Sequence, residues 1–113
     1  MKKILISLSV ISSITLLSGL AFAKGDPKAG KKVYDQNCAM CHGPKGAGDG
    51  AAAAALNPKP RNFTEGKFKY GSKDEDLAKL IKNGKGPMPP WGSVLKPADI
   101  DNVIAYIRTL KKK

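Results

Sequence analysis

Cys38-Ala39-Met40-Cys41-His42 constrains this chain more than any other stretch, because both of its cysteines and its only histidine fall within five residues. On a helical turn, residues three apart share a face, so the two thiols point the same way with the imidazole beside them. Such a cluster calls for a common partner, and the composition says why the chain needs one. Its 113 residues make at most one domain, and 6% aromatics with 12 Gly and 8 Pro leave little bulky apolar material for a core. A domain this small then depends on a staple: disulfides, a metal or a bound cofactor.

The first 23 residues stand apart from the fold. Met1-Lys2-Lys3 is a short basic start, Ile4 to Leu20 is apolar and Ser-containing, and Ala21-Phe22-Ala23 is a small-x-small pattern ahead of Lys24-Gly25-Asp26. This reads as a secretory signal peptide over 1–23, cleaved after Ala23 and leaving a periplasmic domain over 24–113. Five Ser and one Gly dilute the apolar stretch, which stops short of the ~20 strongly apolar residues that span a bilayer. With no Cys near the cleavage site for a lipid, no stable membrane anchor is expected. The formal charge of +11 falls only to +9 on removal of the leader, with 18 basic against 9 acidic groups in the 90 residues left. The excess belongs to the domain and points to an anionic partner.

Export would place Cys38 and Cys41 in an oxidising compartment, where a disulfide is the ordinary expectation. Their spacing argues otherwise. A thioredoxin-like pair should follow a strand in a βαβ unit, and a zinc site wants a fourth ligand; neither context is present. Cys-X-X-Cys-His is instead the attachment signature of c-type haem: thiols one turn apart reach its two vinyl groups, and the next residue puts an imidazole on the iron.

Along nearly its whole length after the leader, the sequence resembles a small class I c-type cytochrome. The order that carries the resemblance is Gly30-Lys-Lys-Val-Tyr34, then Cys38 to His42, then Met88 in a Pro-rich loop, then Tyr106 in a terminal helix. The resemblance implies an all-α class I cytochrome c fold, three to four short helices around one covalently bound haem c per chain. An electron-transfer haem also needs a sixth ligand. Met1 leaves with the leader and Met40 is held between the tethering cysteines, which leaves Met88. Its setting, Gly86-Pro87-Met88-Pro89-Pro90, is stiff, since proline fixes φ and little loop entropy remains to be lost. Cofactor binding is thus expected from Cys38, Cys41, His42 and Met88, with His42 and Met88 on the metal. In the family a proline carbonyl accepts a hydrogen bond from the other nitrogen of the axial histidine; here Pro58 or Pro60 is the candidate.

The scaffold reads as helical. Asp26 caps a first helix with Pro27 at its first position. The segment from His42 to Phe63 is Gly/Ala/Pro-rich, with one turn expected over Ala51–Ala55. Ser72-Lys-Asp-Glu75 has the form of a capping box before Leu77, Leu80 and Ile81, and Gly84 stops that helix. The last helix starts near Pro97, and Ile100, Val103, Ile104, Ile107 and Leu110 form its inner stripe. In the class I pattern the first and last helices cross closely, with Gly30 admitting the backbones and Tyr34, Val103, Tyr106 and Ile107 filling the crossing.

The function expected is one-electron transfer between redox partners, with no substrate chemistry and no catalytic residue. The domain is expected as a monomer meeting acidic donor and acceptor proteins through steered, short-lived encounters. Lys45, Lys59, Arg61, Lys85 and Lys96 are the candidates for the rim of the haem edge. Phe63, Phe68 and Tyr70 are assigned to the haem rather than to nucleic-acid bases, and Trp91 to the pocket wall. Two alternatives remain: a haem subunit of a larger oxidoreductase, and a five-coordinate ligand-binding or peroxidase-like haem protein should Met88 not ligate.

Overall fold

Asp26 opens the fold as its position before Pro27 requires. In the computed structural model, which describes residues 24–113, its carboxylate accepts from Lys28 N–H at 2.9 Å and starts α1, Pro27–Asn37. The expected signal peptide over 1–23 lies outside the described residues. A single turn, α2, Ala39–His42, follows at once. Short 3-10 turns at Ala53–Ala55 and Phe63–Glu65 punctuate the long loop, the first of them inside the expected Ala51–Ala55 turn. Helices α3, Asp74–Asn83, and α4, Pro97–Thr109, complete the chain. Among the described residues there is no strand, only an isolated bridge between Lys85 and Met88.

The start of α3 differs from the expected capping box by one residue. Lys73, not Ser72, is the cap position, and the Asp76 carboxylate, not Glu75, accepts from its N–H at 3.2 Å. Ser72 is engaged elsewhere: its carbonyl accepts from Arg108 at 2.7 Å, which holds it outside the helix. Helix α4 repeats the device, with Asp99 accepting from Lys96 N–H at 3.0 Å. Both helices thus carry a carboxylate in the first turn, where the macrodipole favours it.

The core forms where α1 crosses α4. Tyr34, Val103 and Ile104 are almost wholly buried, and Ile100 and Ile107 join them. The rings of Tyr34 and Tyr106 meet edge to face at 5.1 Å, an arrangement the ring quadrupoles favour. Leu77 and Ile81 of α3 extend the cluster, and Phe63 closes it from the loop. Gly30 is what permits the crossing: a Cβ there would lie 1.8 Å from the Asn102 carbonyl oxygen and 2.4 Å from its carbon. The same residue anchors the chain entry, since Asn102 Oδ1 accepts from Asp26 N–H at 2.8 Å.

Gly30→Ala separates local from tertiary effects. Helix propensity alone would stabilise α1 by up to about 1 kcal/mol, whereas a methyl forced against backbone costs about 1–3 kcal/mol. The obstructing atoms are main chain and cannot rotate away, so the crossing should win. The thermal midpoint of the native protein is expected to fall by about 10 °C, at ~4–8 °C per kcal/mol for a domain of this size. A midpoint that holds or rises would contradict the crossing described.

Candidate haem site

The five-residue string that dominates the sequence is wound as one turn between α1 and the loop. Cys38 ends α1, and its carbonyl accepts from Cys41 N–H at 3.2 Å and His42 N–H at 2.9 Å. The following carbonyls are taken in order: Ala39 by Gly43, Met40 by Ala52, Cys41 by Gly50 and His42 by Gly48. Gly43 O receives Gly46 N–H at 3.1 Å and the Tyr34 hydroxyl at 2.6 Å. Every carbonyl of the turn is thus satisfied, as a partly buried backbone demands. The loop can lie this close because Gly50 has no side chain: a Cβ there would stand 2.2 Å from Met40 O.

Cys38, Cys41 and His42 face a single cavity of about 460 Å³, which Met88 also lines. Pockets for small organic ligands run from about 300 to 1,000 Å³. Its walls are largely apolar: Leu56 and Phe63 from the loop, Leu77, Leu80 and Ile81 from α3, Ile107 from α4, and Trp91 beyond the Met loop. Phe68 and Tyr70 line it too, as expected of them.

The His42 ring is held on two sides. Its Nδ1 lies 3.0 Å from Arg61 O. A carbonyl only accepts, so Nδ1 carries the proton and Nε2 keeps a free lone pair, the form a metal takes. Phe63 stacks on the imidazole at 4.4 Å and 18°. Burial lowers the His42 pKa, partly opposed by the Arg61 hydrogen bond, and so favours the neutral ring. The acceptor corrects the expectation of Pro58 or Pro60: both line the cavity, but Pro60 O faces Gly48, 2.8 Å from where a Cβ there would sit. The next carbonyl along, that of Arg61, is the one turned to the histidine.

The cysteines are both free and half-buried. Burial first, and the neighbouring Cys41 second, push the Cys38 thiol up to about 12. That is the reverse of a reactive redox pair, whose thiolate is stabilised. Among the described residues no three His, Cys, Asp or Glu side chains converge as a metal cluster, so zinc, which takes four ligands, has no built site. An apolar cavity with two thiols, a neutral imidazole and a thioether in its wall fits a haem.

Met88 is presented by a closed turn. Lys85 N–H donates to Met88 O at 3.0 Å and Met88 N–H to Lys85 O at 3.1 Å. The loop is tied to α3 by Trp91 N–H on Ile81 O at 2.9 Å and Gly92 N–H on Lys82 O at 3.1 Å. Of the expected basic rim, Lys59, Arg61 and Lys85 line the cavity, joined by Lys69, while Lys45 and Lys96 do not. Lys45 sits in the Gly43–Gly46 turn and Lys96 caps α4.

Residues 25–107 match the family described as cytochrome c oxidase, cbb3-type, subunit III. The chain belongs to this family of c-type cytochrome domains. It is 39% identical to cytochrome c6 of Picosynechococcus sp. over 95% of this chain and 92% of that protein. It is 35% identical to the cbb3-type cytochrome c oxidase subunit FixP of Azorhizobium caulinodans over 90% of this chain. There it spans only 33% of the relative's length. Cytochrome c6 of the diatom Phaeodactylum tricornutum superposes with a TM-score of 0.58 at 25% identity, covering 75% of this chain and 93% of that one. The all-α class I cytochrome c fold is the one these helices adopt.

Tyr34→Phe tests the support of the Cys turn. It removes one of two donors to Gly43 O without opening a cavity, so a loss of about 1 kcal/mol is expected, read as a fall of several degrees in thermal midpoint. An unchanged midpoint would show that the hydroxyl contributes nothing to the turn.

Proposed function

We propose that this protein is an exported monohaem electron carrier, with Cys38 and Cys41 tethering haem c through thioethers and His42 and Met88 ligating its iron. One observation carries the reading: two thiols, a neutral imidazole and a single thioether line one apolar cavity. Bound haem supplies a one-electron Fe(III)/Fe(II) couple. The residues of the chain do the rest. Arg61 O and Phe63 orient His42, the Lys85–Met88 turn presents the thioether, and α3, α4 and Trp91 exclude water. Two protein ligands leave no open position for substrate, so the protein is a carrier and has no catalytic residue.

Among the described residues, no helix is long and apolar enough to cross a membrane. With the leader over 1–23 removed after Ala23, the domain works in the periplasm as a monomer. Lys59, Arg61, Lys69 and Lys85 around the cavity favour encounters with acidic donor and acceptor proteins. A second reading, a haem domain of a larger oxidoreductase, is favoured by the match to one third of FixP. A partner retained at high salt supports that reading, because a steered transient encounter is screened away.

Met88→Ala is the direct test. Methionine ligation raises the potential of a His-ligated haem, so the variant should show a potential lower by on the order of 0.1 V, a fraction of the ~0.8 V range that axial ligands span. Its reduced form should bind carbon monoxide rapidly, whereas the parent resists it, and haem should stay with both proteins through acid-acetone extraction. An unchanged potential would remove Met88 as ligand, and extractable haem would remove the thioethers.

A further inference from the structure

The Lys85–Met88 turn is a rigid pair. Its two reciprocal backbone hydrogen bonds, at 3.0 and 3.1 Å, oblige Lys85 and Met88 to move together. Lys85 itself is exposed, but its ammonium lies over the Tyr70 ring, 4.3 Å from the centroid. That is well inside the ~6 Å reach of a cation–π attraction. Tyr70 is 46% exposed and lines the same cavity as Met88.

Tyr70 stands on a segment anchored at both ends. Arg61 Nε donates to Lys67 O at 2.7 Å. At the far end Arg108 donates to Ser72 O at 2.7 Å and to Asp74 at 2.7 Å, while its guanidinium lies 5.7 Å from the Phe68 centroid. The strap from Lys67 to Ser72 is therefore fixed to the loop on one side and to α4 on the other. Lys69 also approaches the Tyr70 ring, at 5.4 Å, but it belongs to the strap and ties nothing across the cavity. Of the two cation–π contacts to this ring among the described residues, that of Lys85 joins the strap to the Met loop.

We propose that Tyr70 is a positioning residue that latches the Met88 loop: held on the anchored strap, its ring retains the Lys85 ammonium and with it the turn that carries the thioether. This rests on the reading of Met88 as iron ligand. The latch acts on the opening of the loop, so its signature is the ease with which an external ligand displaces Met88.

Imidazole is a suitable probe on the haem-loaded ferric protein, because it is largely uncharged above pH 8 and is not steered by the lysines. Lys85→Gln and Tyr70→Leu should each raise the apparent imidazole affinity about two- to fivefold, the scale of one exposed cation–π contact. The double variant should do no more than either single one, since both remove the same interaction. Tyr70→Phe, which keeps the ring, should restore parental behaviour, and Lys79→Gln, on an exposed lysine of α3, should change nothing. Lys85→Gln removes the charge from an exposed residue at the cavity mouth and adds no thioether, so its result stands even if Tyr70→Leu folds poorly. Parental affinity in Lys85→Gln, additive effects in the double variant, or an equal rise in Lys79→Gln would each overturn the latch. A parent that binds imidazole as readily as Met88→Ala would instead overturn the ligand reading.

Discussion

The constraint on which this structure depends is a largely apolar hollow set against a small core. Eight buried side chains make up the hydrophobic cluster, and beside them lies a cavity of about 460 Å³ walled by four of those residues, Phe63, Leu77, Ile81 and Ile107, and by the Cys turn. Left to water, this largely apolar wall would forgo the burial on which a small domain depends. A chain with 6% aromatics cannot fill the space from its own side chains. A group from outside can fill it, and the two thiols stand in the wall it would touch.

The remaining features serve that hollow. Gly30 brings α1 onto α4, which sets the end of α1, and hence Cys38, at the cavity. The loop then satisfies each carbonyl of the turn, so the cysteines and His42 sit on a backbone with no competing demands. Two arginines pin the strap that forms another wall, and the reciprocal Lys85–Met88 bonds shape the Met loop. Positive charge gathers at the same mouth, where Lys59, Arg61, Lys69 and Lys85 meet. A carrier that binds briefly gains encounter rate from such a field without gaining much residence time.

What could be read from the sequence was what side-chain chemistry determines. Cys38, Cys41 and His42 declare themselves by spacing and Met88 by its place in a stiff Pro loop, and the four line one cavity; Asp26-Pro27 declares itself by cap geometry, and Asp26 caps α1. The inner stripe of α4 and the Gly30 crossing were legible from period and size. The acceptor for His42 was not, because a carbonyl carries no residue identity: the path of the chain turns Pro60 O to Gly48 and Arg61 O to the imidazole. The first turn of α3 slipped by one residue because Arg108, 36 positions away, claims the Ser72 carbonyl. Proximity in sequence likewise misassigned Lys45 and Lys96 to the rim and passed over Lys69, since side-chain direction follows the loop's path. The Phe63 ring on His42 had no local signal beyond its being aromatic.

The claim that haem completes the core is tested most directly by removing its tethers. A Cys38→Ala/Cys41→Ala double variant, expressed without haem and followed by far-ultraviolet circular dichroism on heating, should show low helicity and no cooperative transition. Native-like helicity lost in a sharp, cooperative melt without bound haem would contradict the account.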